Sequence, residues 1–168
     1  GIGHSSRVLD VGCGGGAAVR RILRLTRAEV GAVDHSPAAV ESTRRLNAAA
    51  AASGRLRVVE GSVEALPFDD VHFDEIVTVE SFYFWPNPAE SLKEVARVLK
   101  PGGTFLLLAE VYGRDDLPQS IREKIAGYQL TNPTPEEFER LFRAAGFQEV
   151  HMHFKEGEYW IAVCGMRQ

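Results

Sequence analysis

Glycines and carboxylates cluster near the start of this chain in a spacing that suits ligand binding. The apolar run Val8-Leu9 leads into Asp10-Val11-Gly12-Cys13-Gly14-Gly15-Gly16, so a buried strand should end directly in a glycine turn. In such a turn the backbone can lie against a ligand. The helix that follows presents unpaired amides and the positive end of its dipole to the same place. The stretch predicts a strand, a ligand-binding loop and a helix.

Other polar residues are predicted at the carboxyl ends of later strands. Asp34 ends the second strand, twenty residues past Gly14. That spacing suits the ribose hydroxyls of a dinucleotide or of another adenosine-bearing cofactor. Ser62 and Glu80 fall at the same predicted edge of the sheet. We therefore expect these side chains to surround one ligand.

The elements that must hold these residues alternate between strand and helix. The first helix has an apolar stripe of Ala18, Ile22 and Leu25. The predicted strands are residues 8–11, 29–33, 56–59, 73–79, 104–109, 148–154 and 159–164, the last two as a hairpin. Capped helices are predicted over 36–53, 87–99 and 134–145, with capping boxes at Asn87/Glu90 and Thr134/Glu137 and a short helix over 119–128. This order predicts an α/β fold, with a doubly wound, mostly parallel sheet and one antiparallel strand.

Length and composition are those of an ordinary globular domain. With 168 residues, 45% of them hydrophobic, we expect one domain over 1–168. Only a few residues, starting with Gly1 to Ser6, precede the first core strand, which suggests a missing N-terminal segment. The net charge of -4 gives no electrostatic case for nucleic acid or anionic membrane as principal partner. The arginines at positions 20, 21, 24 and 27 are interpreted as a solvated helix face.

Cellular location and metal binding are constrained by a few residues. No apolar run approaches the ~20 residues of a membrane span. Cys13 and Cys164 do not make a disulfide framework, so a cytoplasmic protein is expected. His151 and His153 alternate on one strand face, but no third ligand has useful spacing, and no metal site is expected.

The glycines alone leave the ligand open. Gly12-x-Gly14-x-x-Ala17 also satisfies the dinucleotide pattern G-x-G-x-x-A, which would suit a nicotinamide-dependent oxidoreductase. The tyrosines at 83, 112, 128 and 159 have no lysine four residues on, so a Tyr-x-x-x-Lys pair is absent. A non-catalytic cofactor-binding protein is a third interpretation, because a fold does not guarantee a reaction.

The ordered series of motifs is more specific than any one of them. The D-x-G-x-G-x-G stretch is followed by Val33-Asp34-His35-Ser36-Pro37, by residues 60–68, by Phe73-Asp74-Glu75-Ile76-Val77 and by Leu99-Lys100-Pro101-Gly102-Gly103. From Arg7 to the closing strands this series resembles the class I S-adenosylmethionine-dependent methyltransferases. The resemblance is greatest to the small-molecule group that includes the ubiquinone/menaquinone-biosynthesis enzymes.

The resemblance implies a Rossmann-like seven-stranded sheet of order 3-2-1-4-5-7-6, and methyl transfer from S-adenosylmethionine to a small molecule by in-line displacement. It places Asp10, Gly12 and Gly14 at the methionine end of the cofactor and Asp34 at the ribose. The other implied cofactor contacts are Cys13, His35, Ser62, Val63 and Glu80. Ser62 stands where the family commonly has Asp, which implies weaker anchoring of the adenine.

The acceptor side carries less information. Glu80 and Tyr83 are candidate catalytic residues, with His35 as a further candidate base, although solvated loop positions are an equally good interpretation. Phe82, Phe84 and Trp85 could line an apolar acceptor pocket or cover the core. The acceptor itself and the oligomeric state are left open.

Overall fold

A single seven-stranded sheet forms the centre of the computed structural model, which describes residues 1–168. The strands are β1 Val8–Val11, β2 Val30–Asp34, β3 Leu56–Glu60, β4 Phe73–Val79, β5 Leu99–Ala109, β6 Phe147–Phe154 and β7 Ile161–Arg167. Their order is β3-β2-β1-β4-β5-β7-β6, and β7 is antiparallel to both of its neighbours. The predicted Rossmann-like order and the closing hairpin are confirmed.

Helices cover both faces of this sheet. They are α1 Ala17–Leu25, α2 Pro37–Leu46, α3 Ala48–Ala52, α4 Pro88–Val98, α5 Gln119–Tyr128 and α6 Pro135–Ala144. The first three pack on β1, β2 and β3, while α4 and α6 pack on the opposite face. No helix in the structure is both long enough and apolar enough to cross a membrane.

The sequence of β1 explains its place in the middle of the sheet. All four of its residues are buried, between β2 on one side and β4 on the other. A strand covered on both faces by helices has no polar face to present, and it is therefore apolar throughout except for Asp10. The carboxyl ends of β1, β2 and β4 meet at one edge, where the glycine loop begins.

Three local predictions were wrong. Leu25 is 52% exposed, because α1 ends there and buries Val19 and Ile22 instead. The helix expected over 36–53 is interrupted at Asn47, whose backbone leaves the helical region while its side chain bonds to the glycine loop. Glu90 completes no capping box, since its carboxylate pairs with Lys93. The capping box of Thr134 and Glu137 is present.

Candidate active site

The glycine loop after β1 is fixed by backbone hydrogen bonds to the next strand. The amides of Gly12 and Cys13 both donate to the carbonyl of Val33, at 2.8 and 3.1 Å. Gly12 and Gly14 have φ angles of 76° and 50°, a conformation that favours glycine. A Cβ on Gly12 would collide with the Ser81 side chain, whereas a Cβ on Gly14 would project into open space. Gly14 therefore presents bare backbone to open space at the cleft.

Two polar side chains, Thr43 of α2 and Asn47 directly after it, hydrogen-bond to the same loop. The Thr43 hydroxyl donates to the carbonyl of Gly14 at 2.9 Å, and the Asn47 amide donates to the carbonyl of Gly16 at 3.2 Å. Both residues are buried. We did not predict these contacts, although a signal was present: Val40, Thr43 and Asn47 form an inward helical stripe that changes from apolar to polar.

Asp34 joins the end of β2 to the glycine loop. One of its oxygens accepts from the Gly14 amide and the other from the Ser36 amide, each at 2.9 Å. A carboxylate has about four acceptor sites, so two remain for a ligand. The neighbouring His35 ring lies 3.6 Å from the carboxylate, and its side chain is 84% exposed.

Asp10 lies beneath this loop as a buried carboxyl without a partner. Neither of its side-chain oxygens accepts a hydrogen bond, and the residue is 1% exposed. Burial, with a further contribution from the charge of Asp34, raises the pKa of Asp10 to about 7. A buried charged group without a partner is costly. Asp10 is thus prepared to accept from a donor or a cation that arrives with a ligand.

A cleft of about 440 Å³ opens at this edge of the sheet. Its polar lining includes the carboxylates of Asp34 and Glu80, and neither Lys nor Arg contributes to it. The cleft therefore has a negative potential suited to a cationic ligand. Its lining residues are Val11, Gly12, Gly14, Val33, Asp34, His35, Gly61, Ser62, Val63, Glu80, Ser81, Phe84, Trp85 and Pro86.

Glu80 follows β4 with an unusual backbone conformation. Its φ is 55°, which is strained for a residue with a side chain. Its carboxylate accepts from the Tyr83 hydroxyl at 3.1 Å, and that hydroxyl accepts from the Val111 amide at 3.0 Å. Burial raises the pKa of Glu80, and the charge of Glu110 adds to this, while the Tyr83 hydrogen bond opposes it. Burial also raises the pKa of Tyr83, so its phenol is neutral near pH 7.

The aromatic residues after Glu80 were expected either to line an acceptor pocket or to cover the core, and the structure shows some of each. Phe82 and Trp85 are buried in the core, and their rings lie 5.0 Å apart. Phe84 is 65% exposed and lines the cleft together with Trp85. The Trp85 indole donates to the Ser81 hydroxyl at 3.3 Å. This segment therefore both covers the core and forms one wall of the cleft.

The remaining predicted site residues lie in different surroundings. Ser62 and Val63 line the cleft, and the Ser62 hydroxyl accepts from the Glu64 amide at 3.2 Å. The Cys13 thiol is buried among apolar residues, where burial raises its pKa to about 11. It can therefore contribute backbone only. His151 and His153 lie on the edge strand β6, and no three potential metal ligands come together in the structure.

Comparison with known proteins assigns the fold and its edge site to a family. A family model described as a methyltransferase domain matches residues 9–107, which is more than half of the chain and includes the glycine loop, Asp34 and Glu80. The chain belongs to the class I S-adenosylmethionine-dependent methyltransferase family. The predicted resemblance is confirmed.

Two curated members of this family show how far the likeness extends. Sarcosine/dimethylglycine N-methyltransferase of Halorhodospira halochloris is 30% identical over 151 residues, which cover 89% of this chain and 54% of that enzyme. The 2-methyl-6-phytyl-1,4-hydroquinone methyltransferase 1 of Oryza sativa subsp. japonica is 32% identical over 148 residues, with coverages of 88% and 42%. The chain spans about half the length of these relatives.

A solved structure gives the same fold at low sequence identity. Phosphoethanolamine N-methyltransferase 2 of Haemonchus contortus, in complex with S-adenosyl-L-methionine, superposes with a TM-score of 0.85 at 16% identity. The match covers 99% of this chain and 50% of the other. The whole seven-stranded architecture is therefore shared with that enzyme.

Proposed function

We propose that this chain transfers a methyl group from S-adenosylmethionine to a small-molecule acceptor. The family assignment supports the class of reaction. Relatives named for sarcosine and for a hydroquinone support acceptors of low molecular weight. When bound, S-adenosylmethionine would supply a methyl group on a cationic sulfur: a lone pair of the acceptor would attack the methyl carbon, and neutral S-adenosylhomocysteine would leave.

The charge of the cleft is the observation that carries this proposal. S-adenosylmethionine has a sulfonium and an ammonium group, whereas a dinucleotide has an anionic pyrophosphate. The cleft is lined by Asp34 and Glu80 and by neither Lys nor Arg, and the unpartnered Asp10 is buried at the end of the strand that leads into the glycine loop. Carboxylates in a cleft of low dielectric attract the first ligand and repel the second.

The cofactor contacts follow from the positions of the side chains. We assign the ribose hydroxyls to the free acceptor sites of Asp34 and the adenine edge to Ser62 and Val63. Gly12 and Gly14 would receive the methionine end above Asp10. The open space at Gly14 and the orphaned oxygens of Asp10 fit such a ligand. Cys13 would contribute only backbone groups of the loop, and His35 forms part of the cleft lining.

For the acceptor side, we propose Glu80 as the proton acceptor and Tyr83 as the residue that positions it. A raised pKa brings a carboxylate closer to the working pH and makes it a better base. Tyr83 is the donor in their hydrogen bond, and its own raised pKa disfavours a phenolate. Glu80 also borders a second groove, of about 490 Å³, lined mainly by apolar residues together with Glu110. That groove suits an acceptor with an apolar body.

Two binding titrations and one turnover assay test this function. Calorimetric titration with S-adenosylmethionine should show saturable binding, whereas the same titration with NAD should show none. Release of S-adenosylhomocysteine in the presence of sarcosine, a hydroquinone or other small acceptors then tests for transfer. Binding of NAD without binding of S-adenosylmethionine would overturn the proposal. The single domain and the cytoplasmic location remain predictions.

A further inference from the structure

The outer face of α1 carries several exposed arginines. The helix contains three arginines and no acidic residue. Val19 and Ile22 are buried against the sheet, which leaves Arg20, Arg21, Arg24 and Leu25 exposed on the opposite face. Arg27 follows in the next turn of chain and is also exposed. We call the guanidiniums of Arg20, Arg21, Arg24 and Arg27 the α1 arginine stripe.

The four arginines of the stripe lie close together in the sequence, and none of them is in an ion pair. Elsewhere exposed cations pair with nearby acids, as in Lys93–Glu90 at 2.8 Å, Arg143–Glu139 at 2.8 Å and Lys155–Glu158 at 3.4 Å. The ion pairs of the structure include no member of the stripe. An external anion would therefore meet guanidiniums that are free to bind it.

The overall net charge hides this local excess. Residues 1–57 contain nine arginines and four acidic residues, whereas residues 58–168 contain ten basic and nineteen acidic residues. The acidic excess belongs to the second part, so it does not neutralise the stripe. Because salt screens exposed charges beyond about 10 Å, an approaching surface responds to the nearest charges. The net charge of -4 is thus a poor guide to what α1 attracts.

Two exposed leucines accompany the arginines. Leu25 is 52% exposed at the end of α1, and Leu46 is 44% exposed at the end of α2. The two helices are in contact, and Asn47 next to Leu46 bonds to Gly16 at the start of α1. Exposed aromatic rings, which stack on nucleic-acid bases, lie on other elements, at Phe84, Tyr128 and Phe154. The α1–α2 surface therefore combines cations with aliphatic side chains.

We propose that this surface docks the protein on an anionic lipid bilayer. The arginine stripe would contact lipid phosphates and carboxylates, and Leu25 and Leu46 would enter the boundary between headgroups and acyl chains. The attraction would come mainly from the arginines, since each basic residue near an anionic lipid surface contributes about 1 kcal/mol. The docking is independent of methyl transfer, because the stripe lies outside the cofactor cleft.

Co-sedimentation with vesicles tests the docking. The protein should sediment with vesicles of phosphatidylcholine and phosphatidylglycerol at low salt, and should dissociate as salt is raised. It should not sediment with pure phosphatidylcholine vesicles. Each interfacial Arg contributes about a fivefold effect, so the triple variant Arg20→Gln, Arg21→Gln, Arg24→Gln should bind roughly a hundredfold more weakly. Leu25→Gln alone should weaken binding several-fold.

A matched triple variant separates the stripe from net charge. Lys93→Gln, Arg140→Gln and Arg143→Gln remove the same number of charges from α4 and α6, and should leave vesicle binding unchanged within about twofold. Urea unfolding checks that all variants are folded. Equal losses in the two triple variants would overturn the proposal. So would tighter binding to an oligonucleotide than to the anionic vesicles, or a stripe-dependent self-association in their absence.

Discussion

The two halves of the cleft are built in different ways. On the β1–β2 side, amides of the glycine loop bond to a backbone carbonyl and a carboxylate of β2, and the side chains of Thr43 and Asn47 bond to loop carbonyls. On the β4–β5 side, Tyr83 connects segments that are distant in sequence: its hydroxyl bonds to Glu80 and to the Val111 amide, and its carbonyl accepts from Thr131. In the first half several separate contacts hold backbone in place, whereas the second half depends mainly on one side chain.

This difference separates what the family shares from what an individual member selects. A cofactor common to the family can be held by backbone geometry, which tolerates little variation. An acceptor that differs among members is better served by loops whose arrangement depends on exchangeable side chains. Substitutions in the first half should therefore affect cofactor binding, and substitutions in the second should affect the acceptor.

The largest effect is expected at Gly14. Gly14→Val places a side chain in the cleft, and affinity for S-adenosylmethionine should fall by more than about a hundredfold. Gly54→Val is the matched control, because Gly54 also has a positive φ, 75°, and open space at its Cβ, but lies after α3. Both variants carry a strain on the order of 1 kcal/mol. Calorimetry should show loss of binding in the first variant only, and equal affinities would contradict the ligand-facing position of Gly14.

A smaller loss is expected at Asp34. Asp34→Ala removes the proposed ribose acceptor and both backbone hydrogen bonds, and should weaken S-adenosylmethionine binding roughly thirtyfold, or about 2 kcal/mol, as for the loss of a hydrogen bond to a charged group. Asp34→Asn retains one acceptor oxygen, so its affinity for S-adenosylmethionine should lie between those of the wild type and Asp34→Ala. Glu60→Ala, at the paired position on β3, removes an exposed carboxylate outside the cleft and should bind normally. If Glu60→Ala weakened binding as much as Asp34→Ala, general electrostatics rather than a contact would explain the loss.

Asp10 should show opposite effects on binding and on stability. Its pKa is raised from 3.8 to about 7, so the folded protein holds a proton that the unfolded chain releases between about pH 4 and pH 7. The free energy of unfolding therefore falls as pH rises through that interval. Asp10→Asn removes this slope and should be more stable than the wild type at pH 8 by at least about 1 kcal/mol. At pH 5 the difference should be smaller, and the two should converge only below about pH 4, where Asp10 is neutral in both the folded and the unfolded state.

Urea unfolding at the two pH values measures this effect. In the same variant, affinity for S-adenosylmethionine should fall about tenfold at pH 8, because a neutral amide replaces a carboxylate near a cationic ligand. A stability difference of equal size at both pH values would show that Asp10 is not the titrating group.

The smallest change in cofactor binding is expected at Tyr83. Tyr83→Phe removes one hydroxyl from the acceptor half, so S-adenosylmethionine affinity should stay within about twofold, while the acceptor KM rises about fivefold, as for one lost hydrogen bond. The hydroxyl also lowers the pKa of Glu80. Its removal should therefore move the acidic limb of the pH–rate profile to higher pH. A pH–rate profile that does not shift would show that Tyr83 does not affect the pKa of the proton acceptor.

Sequence reasoning reached the local features of the site and missed those formed by tertiary contacts. The glycine loop, Asp34 and the end of β4 were predicted because each motif lies at the carboxyl end of an apolar strand. The contacts of Thr43 and Asn47 were missed, since a polar residue in a helix gives no indication of which loop it will reach. The sequence also could not predict that the Cys13 thiol lies outside the cleft, because tertiary packing decides on which side of a turn a side chain lies.

The close approach of Gly12 to Ser81 has a consequence for the order of ligand binding. Because no side chain fits between the turn after β1 and the loop after β4, neither can shift without pressing on the other. A first ligand that rigidifies one loop reduces the entropy that a second ligand must lose in ordering the other. Such cooperativity is reciprocal by thermodynamic linkage. Occupancy of the cofactor cleft should therefore raise the affinity for the acceptor, and bound acceptor should raise the affinity for the cofactor by the same factor.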